Sequence, residues 1–195
     1  MTTGSVSPRR ADTRRNHERI LAVATEALTS SGEVSFNAIA KKAGVGVGTV
    51  YRHFPTAEAL ILAVYEREVR HLVEVVPKLL AKHAPAEAFR RWTTDHLAHH
   101  MMTKRGLAKA LGAATASRVE MPRSALDAVL SAVAMLVKAN VEAGTVRADL
   151  APETVMRGLG GLFYLDADDW RDQTSSLIDL LWRGMCADGC TSTHS

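Results

Sequence analysis

The apolar residues of this chain recur mostly at spacings of three and four positions, which is the period of one face of an α-helix. The first such segment covers roughly residues 12–31, and its predicted buried face consists of Ile20, Ala24, Ala27 and Leu28. Runs of β-branched residues with period-two alternation, which are typical of strands, are missing. The pattern therefore predicts an all-α chain.

Glycines and capping residues divide the first third of the chain into three helices. Gly32 suits a left-handed cap at the end of the first helix. Ser35 can cap a short second helix that Gly44 ends, burying Ile39, Ala40 and Ala43. After the stretch 44–47, a third short helix is predicted to run to His53.

The remaining two thirds predict longer helices. Thr56 is a plausible N-cap for a fourth helix that ends near Val76, because Pro77 follows. Further helices are predicted over about residues 85–102, 105–116, 122–143 and 169–187, with another that starts at Pro152. The total is about nine helices.

Composition narrows the class of protein. Of the 195 residues, 47% are hydrophobic and 23% are charged, which is close to the globular average and argues against disorder. No stretch of eighteen apolar residues and no signal-peptide pattern occurs, so we expect no membrane-spanning helix and no membrane partner. The only two cysteines, Cys186 and Cys190, lie near the end, which indicates a reducing, cytoplasmic location.

The net charge of +3 is unevenly placed. Residues 1–58 hold eight Lys and Arg against five Asp and Glu, whereas residues 59–195 hold sixteen of each sign. All of the formal excess therefore lies in the first third of the chain. A localised positive surface attracts polyanions such as nucleic acid, although a solvated basic tail would have the same composition.

Two short helices joined by a glycine-containing turn, after one longer helix, match the layout of a helix-turn-helix. In that motif the second short helix enters the major groove of DNA, which here is the segment from Val47 to His53. Val50 and Phe54 stand at i, i+4 and are expected to face inward. Contact with DNA is the favoured interpretation for Thr49, Tyr51 and His53. Arg52 could contact a base, contact a phosphate or form a surface ion pair.

The same segment carries a family resemblance. The residues Phe36-Asn37-Ala38-Ile39-Ala40-Lys41-Lys42-Ala43-Gly44-Val45-Gly46-Val47-Gly48-Thr49-Val50-Tyr51-Arg52-His53-Phe54 resemble the DNA-binding signature of the tetracycline-repressor (TetR/AcrR) family. The resemblance spans about residues 14–65, and the rest of the chain resembles the family only in length and helical layout. It implies a DNA-contacting set made up of Asn37, Lys42, Gly46, Val47, Gly48, Thr49, Tyr51, Arg52 and His53.

Two positions depart from the family pattern. Gly46 stands where many relatives have a polar capping residue such as serine, so the cap of the recognition helix is weaker here. Ala57 stands where many relatives have a basic residue that contacts phosphate. An N-terminal arm with Arg9, Arg10, Arg14 and Arg15 either supplies the missing charge or is a solvated tail.

The predicted domain organisation has four parts. Residues 1–12 form a flexible basic arm, 13–55 the helix-turn-helix domain, 56–188 a helical domain for effector binding and dimerisation, and 189–195 a disordered tail.

The last two predicted helices carry more apolar surface than one packing partner needs. Because the family reads two half-sites as a dimer, we expect a homodimer interface there, unless the same residues belong to the core of one subunit. Gly158, Gly160 and Gly161 would allow another backbone to approach closely. The predicted interface consists of Leu159, Leu177, Ile178, Leu181, Trp182 and Met185.

The middle region holds an effector pocket in the family, and such pockets are mostly apolar with a few polar anchors. The candidate lining residues, each of which could equally be plain core, are Trp92, His96, Met101, Met102, Leu107, Met121, Leu126 and Phe163. His96 and His100 share a helical face and, with His99, could bind a metal or line the pocket. Because no obvious third ligand accompanies the i, i+4 pair, we predict no metal and no cofactor.

The favoured function is therefore a ligand-responsive transcriptional repressor that binds a palindromic DNA operator as a homodimer. The alternative is a small enzyme or carrier whose helical region holds a ligand. That alternative is disfavoured because the sequence has no G-x-S-x-G, no HExxH and no glycine-rich phosphate loop.

Overall fold

The computed structural model of the protein describes residues 8–104, 123–165 and 168–187, together with the single positions 107, 110 and 113. These residues are helical or lie in short connections and contain no strand, which confirms the all-α prediction. One isolated antiparallel bridge joins Val146 to Cys186. Most of the predicted helix at 105–116, the start of the predicted arm, the predicted tail and Met121 lie outside the described residues.

The described elements follow one another in the order of the chain. They are α1 (Pro8–Ser30), α2 (Phe36–Ala43), α3 (Val47–His53), α4 (Ala57–Lys82), α5 (Pro85–Arg91), a π-helix (Trp92–Ala98), α6 (His99–Thr103), α7 (Arg123–Glu142), α8 (Pro152–Leu159), a 3₁₀ helix (Gly160–Tyr164) and α9 (Trp170–Met185).

The chain divides into two compact units. The first, here called the head, contains the described residues up to Arg67 together with 104, 107, 110 and 113. The second, here called the body, contains 68–103 and the described residues from 123 onward. The assignment of functions to the predicted domains stays a prediction.

Local signals account for the helix ends in the head. The hydroxyl of Ser35 accepts a hydrogen bond from the Ala38 N–H at 3.4 Å and caps α2. Gly44 ends α2 with φ 65°, the left-handed conformation that glycine adopts without strain, and its N–H donates to the carbonyls of Ala40 and Lys41. Thr56 accepts from the Ala59 N–H at 3.2 Å ahead of α4. These caps confirm the boundaries predicted for α2 and the start of α4.

The end of α4 differs from the prediction, because the helix continues through Pro77 to Lys82. A proline inside a helix loses one backbone hydrogen bond and costs roughly 3 kcal/mol. Packing offsets that cost here, since Val76 is fully buried and Leu79 and Leu80 are half-buried beyond it. Tertiary burial therefore overrides the local stop signal.

The single helix predicted over 85–102 is instead three consecutive segments, with the π-helix between α5 and α6. The π-helix contains two threonines whose hydroxyls form hydrogen bonds with carbonyl groups of the preceding turn. Thr93 donates to the carbonyls of Phe89 and Arg90, each at 2.9 Å, and Thr94 donates to the carbonyl of Arg90 at 2.8 Å. Hydroxyl groups therefore stabilise the π-helix, and the spacing of apolar residues could not predict their contribution.

The interior of the body contains polar groups that are paired. The Asn140 side chain is fully buried, and its amide donates to the carbonyls of Pro85 at 3.0 Å and Leu136 at 2.8 Å. Its carbonyl oxygen accepts from the hydroxyl of Thr145 at 2.8 Å. These bonds tie the start of α5 to the end of α7 and to the turn that follows it.

Helix α7 is the one helix among the described residues that is long and apolar enough to cross a membrane by length and composition alone. Core helices of globular proteins meet the same criteria. The buried residues of α7 include Val129, Val133 and Leu136. The prediction that no membrane is involved stays a prediction.

Two glycines let the region of α8 lie close to α9. A Cβ atom at Gly158 would stand 2.7 Å from Cδ2 of Leu181, and one at Gly161 would stand 3.0 Å from Cδ2 of Leu177. Gly160 has nothing within 4 Å of the equivalent position. The close approach predicted at these glycines is therefore filled, at two of the three, by leucine side chains of the same chain.

Candidate functional site

Helix α3 has one buried and one exposed face. Val50 is fully buried and Phe54, just after the helix, is 3% exposed, so both pack inward as predicted. On the other face Val47 is 40% and Tyr51 is 54% exposed. Gly48 and Arg52 are exposed as well, whereas Thr49 is half-buried. The helix therefore presents a mixed apolar, aromatic and cationic surface to its surroundings.

The start of α3 is open. Gly46 is its N-cap and supplies no side-chain hydrogen bond, which confirms the weaker cap inferred from the sequence. A Cβ atom on Gly48 would meet nothing within 4 Å, so the surface there is flat and accessible. The ring of Tyr51 is fixed by a tilted contact with Phe36, with centroids 4.8 Å apart. The phenol is thus positioned while its exposed edge stays available.

Two predicted DNA contacts lie on α2. Asn37 is exposed in the first turn and Lys42 is exposed in the last turn. The Lys42 ammonium lies 2.6 Å from a carboxylate oxygen of Glu26 on α1. Exposed ion pairs of this kind contribute little to stability, so a phosphate can replace the carboxylate at small cost.

A groove of about 300 Å³ lies beside the end of α3 and is lined by Thr13, Arg14, His17 and His53. The ring centroids of His17 and His53 are 5.4 Å apart, and His17 also stacks on Phe54 at 4.9 Å. Burial and the neighbouring His17 lower the pKa of His53 from its ordinary value of 6.5. Thr13 and His17 were not predicted from the sequence, although Arg14 and His17 stand at i, i+3 on one face of α1.

The predicted pocket residues do not gather around one described cavity. Trp92 is fully buried and its indole N–H donates to the Leu72 carbonyl at 2.8 Å, so it is a core residue. Leu107 is buried in the head, while Met101 and Met102 are half-buried in the body. Leu126 is 43% and Phe163 is 67% exposed.

His96, another predicted pocket residue, is half-buried. Its pKa is lowered, mainly by burial and also by His71 and His99, against an opposing effect of Asp95. Within the described ranges no group of three or more His, Cys, Asp or Glu residues could hold a metal ion.

A cavity of about 400 Å³ in the body instead has a polar lining. It lies between the π-helix with the start of α6 on one side and the first turns of α9 on the other. Its lining residues are Thr94, Asp95, His99, Trp170, Arg171, Thr174 and Ser175. Asp95 and His99 belong to the His-rich segment that the sequence had marked as a possible pocket wall. The four residues of α9 were missed, because a helix start with alternating aromatic, charged and hydroxyl groups has no apolar stripe.

The predicted dimer residues differ in their exposure. Leu159, Ile178 and Met185 are each at most 4% exposed within one chain, so little of their surface is left for a partner. Leu177, Leu181 and Trp182 are half-buried. The large exposed apolar side chains nearby are Phe163, Tyr164 and, on α9 itself, Leu180, which is 69% exposed. None of these three was in the predicted interface, although Phe163 had been placed in the pocket.

Comparisons with known proteins address both parts of the chain. A family model described as bacterial regulatory proteins of the tetR family matches residues 20–64. A second, described as the C-terminal domain of SbtR-like transcriptional regulators, matches residues 84–187. An HTH-type transcriptional regulator of Staphylococcus aureus (strain USA300) is 37% identical over 62 residues, which are 31% of this chain and 34% of that protein. The chain thus matches about a third of the length of such curated relatives.

Solved structures extend the similarity over nearly the whole chain. A TetR transcriptional regulator of Streptomyces coelicolor is 36% identical, with a TM-score of 0.73, and the match covers 89% of this chain and 99% of that one. A TetR transcription regulatory protein from Mycobacterium vanbaalenii is 33% identical, with the same TM-score, over 92% of this chain and 100% of that one. With both family models and these neighbours in agreement, the chain belongs to the TetR family of helix-turn-helix transcriptional regulators.

Proposed function

We propose that this chain is a repressor that binds a palindromic operator as a homodimer and is released from it by a small-molecule effector. The observation that carries the proposal is the exposed face of α3, which bears Val47, Gly48, Tyr51 and Arg52 while Val50 fills the core behind it. A helix presented in this way fits the major groove, whose width admits one α-helix. Binding and release of DNA require no catalysis, and we assign the protein no enzymatic activity and a cytoplasmic location.

Reading of the operator is assigned to the exposed face of α3. Arg52 carries the donors that pair with guanine, Tyr51 offers its phenol to a base or phosphate, and Val47 offers apolar contact to a thymine methyl. Gly48 lets the backbone approach the groove wall, because nothing occupies the space where a side chain would stand. Thr49 is half-buried at the N-terminal end and is placed for a phosphate.

Contacts with the DNA backbone are assigned to the groove of Arg14, His17 and His53 and to the two predicted residues on α2. A phosphate in the groove would meet the Arg14 guanidinium and the imidazole rings of His17 and His53. Asn37 and Lys42 lie exposed on α2 and would contact the backbone of the flanking DNA strand. Such contacts carry no sequence information but hold α3 in register.

A dimer follows from the need to read two half-sites. We place its interface on the exposed apolar side chains Phe163, Tyr164 and Leu180, with the half-buried Leu177, Leu181 and Trp182 beside them. Large apolar groups left this exposed are typical of interaction surfaces. Leu159, Ile178 and Met185 are then the support beneath the interface rather than its contacts.

Release by an effector would follow from linkage. A ligand that binds the body better in the DNA-free arrangement lowers operator affinity by the factor by which the operator lowers ligand affinity. The body offers a cavity of about 400 Å³, within the range of small-molecule sites.

The test is operator binding by the full-length chain. Fragments selected from genomic DNA give the operator, and affinities are then measured for Tyr51→Phe and His53→Ala by fluorescence anisotropy. We expect each substitution to weaken binding by about 1–3 kcal/mol, because one specific polar contact is lost while the Tyr51 ring still packs on Phe36. His53→Ala should also reduce the dependence of affinity on salt if the imidazole contacts phosphate in its charged form.

A matched control for the His53 variant comes from the body, where His71→Ala removes an exposed imidazole. This variant should bind the operator like the wild type. Equal affinities for Tyr51→Phe, His53→Ala and this control would contradict the assignment of α3 as the reading helix.

A further inference from the structure

The cavity in the body has one feature that folding alone does not explain. The hydroxyl of Thr174 is buried, with the residue only 1% exposed, and its oxygen has no hydrogen-bond partner among the residues that the structure describes. Thr174 nevertheless lines the cavity. A buried hydroxyl without a partner costs roughly 1–3 kcal/mol, and valine would fill the same volume without that cost. A group that enters the cavity and bonds to this oxygen would remove the penalty.

The side chains beside Thr174 suit a ligand with a flat ring and a negative charge. The guanidinium of Arg171 lies over the indole of Trp170, with 4.7 Å between its carbon and the ring centroid, and forms no ion pair with another described residue. The imidazole of His99 approaches the same indole, with centroids 6.0 Å apart. Guanidinium groups bind carboxylates through two parallel hydrogen bonds, and aromatic rings bind other aromatic rings.

The opposite wall limits the charge of the occupant. Asp95 lies in the π-helix, and one of its oxygens lies 3.2 Å from the Thr94 hydroxyl oxygen. A second negative charge on the ligand near this carboxylate would be repelled, whereas a hydroxyl could donate to it. π-Helical segments are frequent at functional sites because they displace side chains from the regular helical positions. Here the segment places Thr94 and Asp95 on the cavity.

From these contacts we propose that the cavity binds a planar aromatic monocarboxylic acid that carries a hydroxyl group. Its carboxylate pairs with Arg171, its ring system packs against Trp170 and His99, and its hydroxyl bonds to Thr174. The proposal rests on the proposed function in one respect, since it identifies this ligand class as the effector. The site is separate from the apolar set of residues that the sequence had suggested.

The experiment uses the full-length chain and two fluorescent probes, 6-hydroxy-2-naphthoate and 2-naphthoate, whose binding is followed by titration. The wild type should bind the hydroxylated probe about tenfold more tightly, because only that probe can bond to Thr174. Thr174→Val should remove this preference by weakening the hydroxylated probe alone. Arg171→Gln should weaken both probes by a similar factor of about ten or more, because both lose their charged partner.

A structural role of Thr174 is separated by thermal unfolding. Without probe, Thr174→Val should be as stable as the wild type or more so, because it removes an unpaired buried hydroxyl. The matched control Thr154→Val, at an exposed position on α8, should change neither the probe preference nor the unfolding temperature by much. Failure of the wild type to bind either probe, equal affinities for the two, or an unchanged preference in Thr174→Val would each overturn the proposal.

Operator binding distinguishes this proposal from the proposed function. In the wild type, 6-hydroxy-2-naphthoate should lower operator affinity, and in Thr174→Val it should do so only at about tenfold higher concentration. If the probe fails to bind while the operator is still recognised, the ligand site is wrong and the regulator stands. If the probe binds without any effect on operator affinity, the cavity is a ligand site but the effector role is wrong.

Discussion

The head and the body differ in where their described residues depart from the local rules of folding. In the head, α2 is capped at both ends, and the departures are the uncapped start of α3, its exposed Val47 and Tyr51, and a guanidinium nitrogen of Arg67 that is buried without a hydrogen-bond partner among the described residues. In the body, departures occur at four places. They are Pro77 inside α4, the π-helix, the unpaired hydroxyl of Thr174, and the exposed apolar side chains of the 3₁₀ helix and α9.

The comparison suggests a division of work. Sequences usually break local rules at functional sites and compensate for the cost elsewhere in the fold. In the head, the departures on α3 fit one task, contact with DNA. Several in the body fit two tasks, binding of a ligand and pairing of subunits.

The largest effect should come from a charge in the core of the head. Val50→Asp places a carboxylate at a position with no exposed surface, which we expect to lower the free energy of unfolding by about 3 kcal/mol or more and to abolish operator binding. All three tryptophans, Trp92, Trp170 and Trp182, lie in the body. Tryptophan fluorescence should therefore keep its native signal and still respond to a bound probe.

The control for this variant is Leu62→Asp, a leucine in the same unit that is 37% exposed. It should cost much less stability and leave operator binding in place. If the tryptophan signal of Val50→Asp is lost at the same denaturant concentration at which the head unfolds, the two units unfold together. In that case the division between head and body would not extend to stability.

The sequence predicted most where the structure is determined locally. The caps at Ser35, Gly44 and Thr56 and the inward positions of Val50 and Phe54 are signalled by residue type and spacing, and all are confirmed. The predicted end of α4 near Val76 was wrong, because the helix continues through Pro77 and the burial of Val76 is a property of the tertiary structure. The π-helix was missed for a related reason, since its hydroxyl bonds have no apolar period.

The candidate sites divide in the same way. The residues of α3 could be proposed because one short segment carries them together with a family pattern. The cavity is built from α6, the π-helix and α9, so its residues lie more than seventy positions apart in the sequence and share no motif. Apolar character did not identify the lining of this cavity. Trp92 proved to be core, whereas the polar Thr174 lines the cavity.

A second prediction tests whether the exposed apolar residues of the body form an interface. Leu180→Asp places a charge at a side chain that is 69% exposed, so the folded subunit should lose little stability. In a dimer interface the same charge would be buried without a partner, and the dimer should weaken by about 2 kcal/mol or more. Sedimentation equilibrium or light scattering measures the change in subunit association.

The matched control is Leu126→Asp, which changes a leucine that is 43% exposed on α7. It should leave the dimer intact. If Leu180→Asp associates like the wild type, Leu180 has no place in the interface, and its exposure would not support the second task assigned to the body.

The smallest effect should be the pH dependence that His53 gives to the head, and here stability and DNA binding should respond in opposite directions. In the free protein the pKa of His53 is lowered by burial and by His17, so protonation favours the unfolded chain. Stability of the head should therefore decrease as pH falls below 6.5. A phosphate beside His53 would favour the protonated form, so operator affinity should instead increase, by up to about tenfold for a pKa change of one unit. Stability and operator affinity are measured between pH 8 and pH 6, roughly the range of histidine titration. Both pH dependences should be smaller in His53→Gln and unchanged in His71→Gln. If the operator affinities of the wild type and of both variants have the same pH profile, His53 is excluded as a phosphate contact.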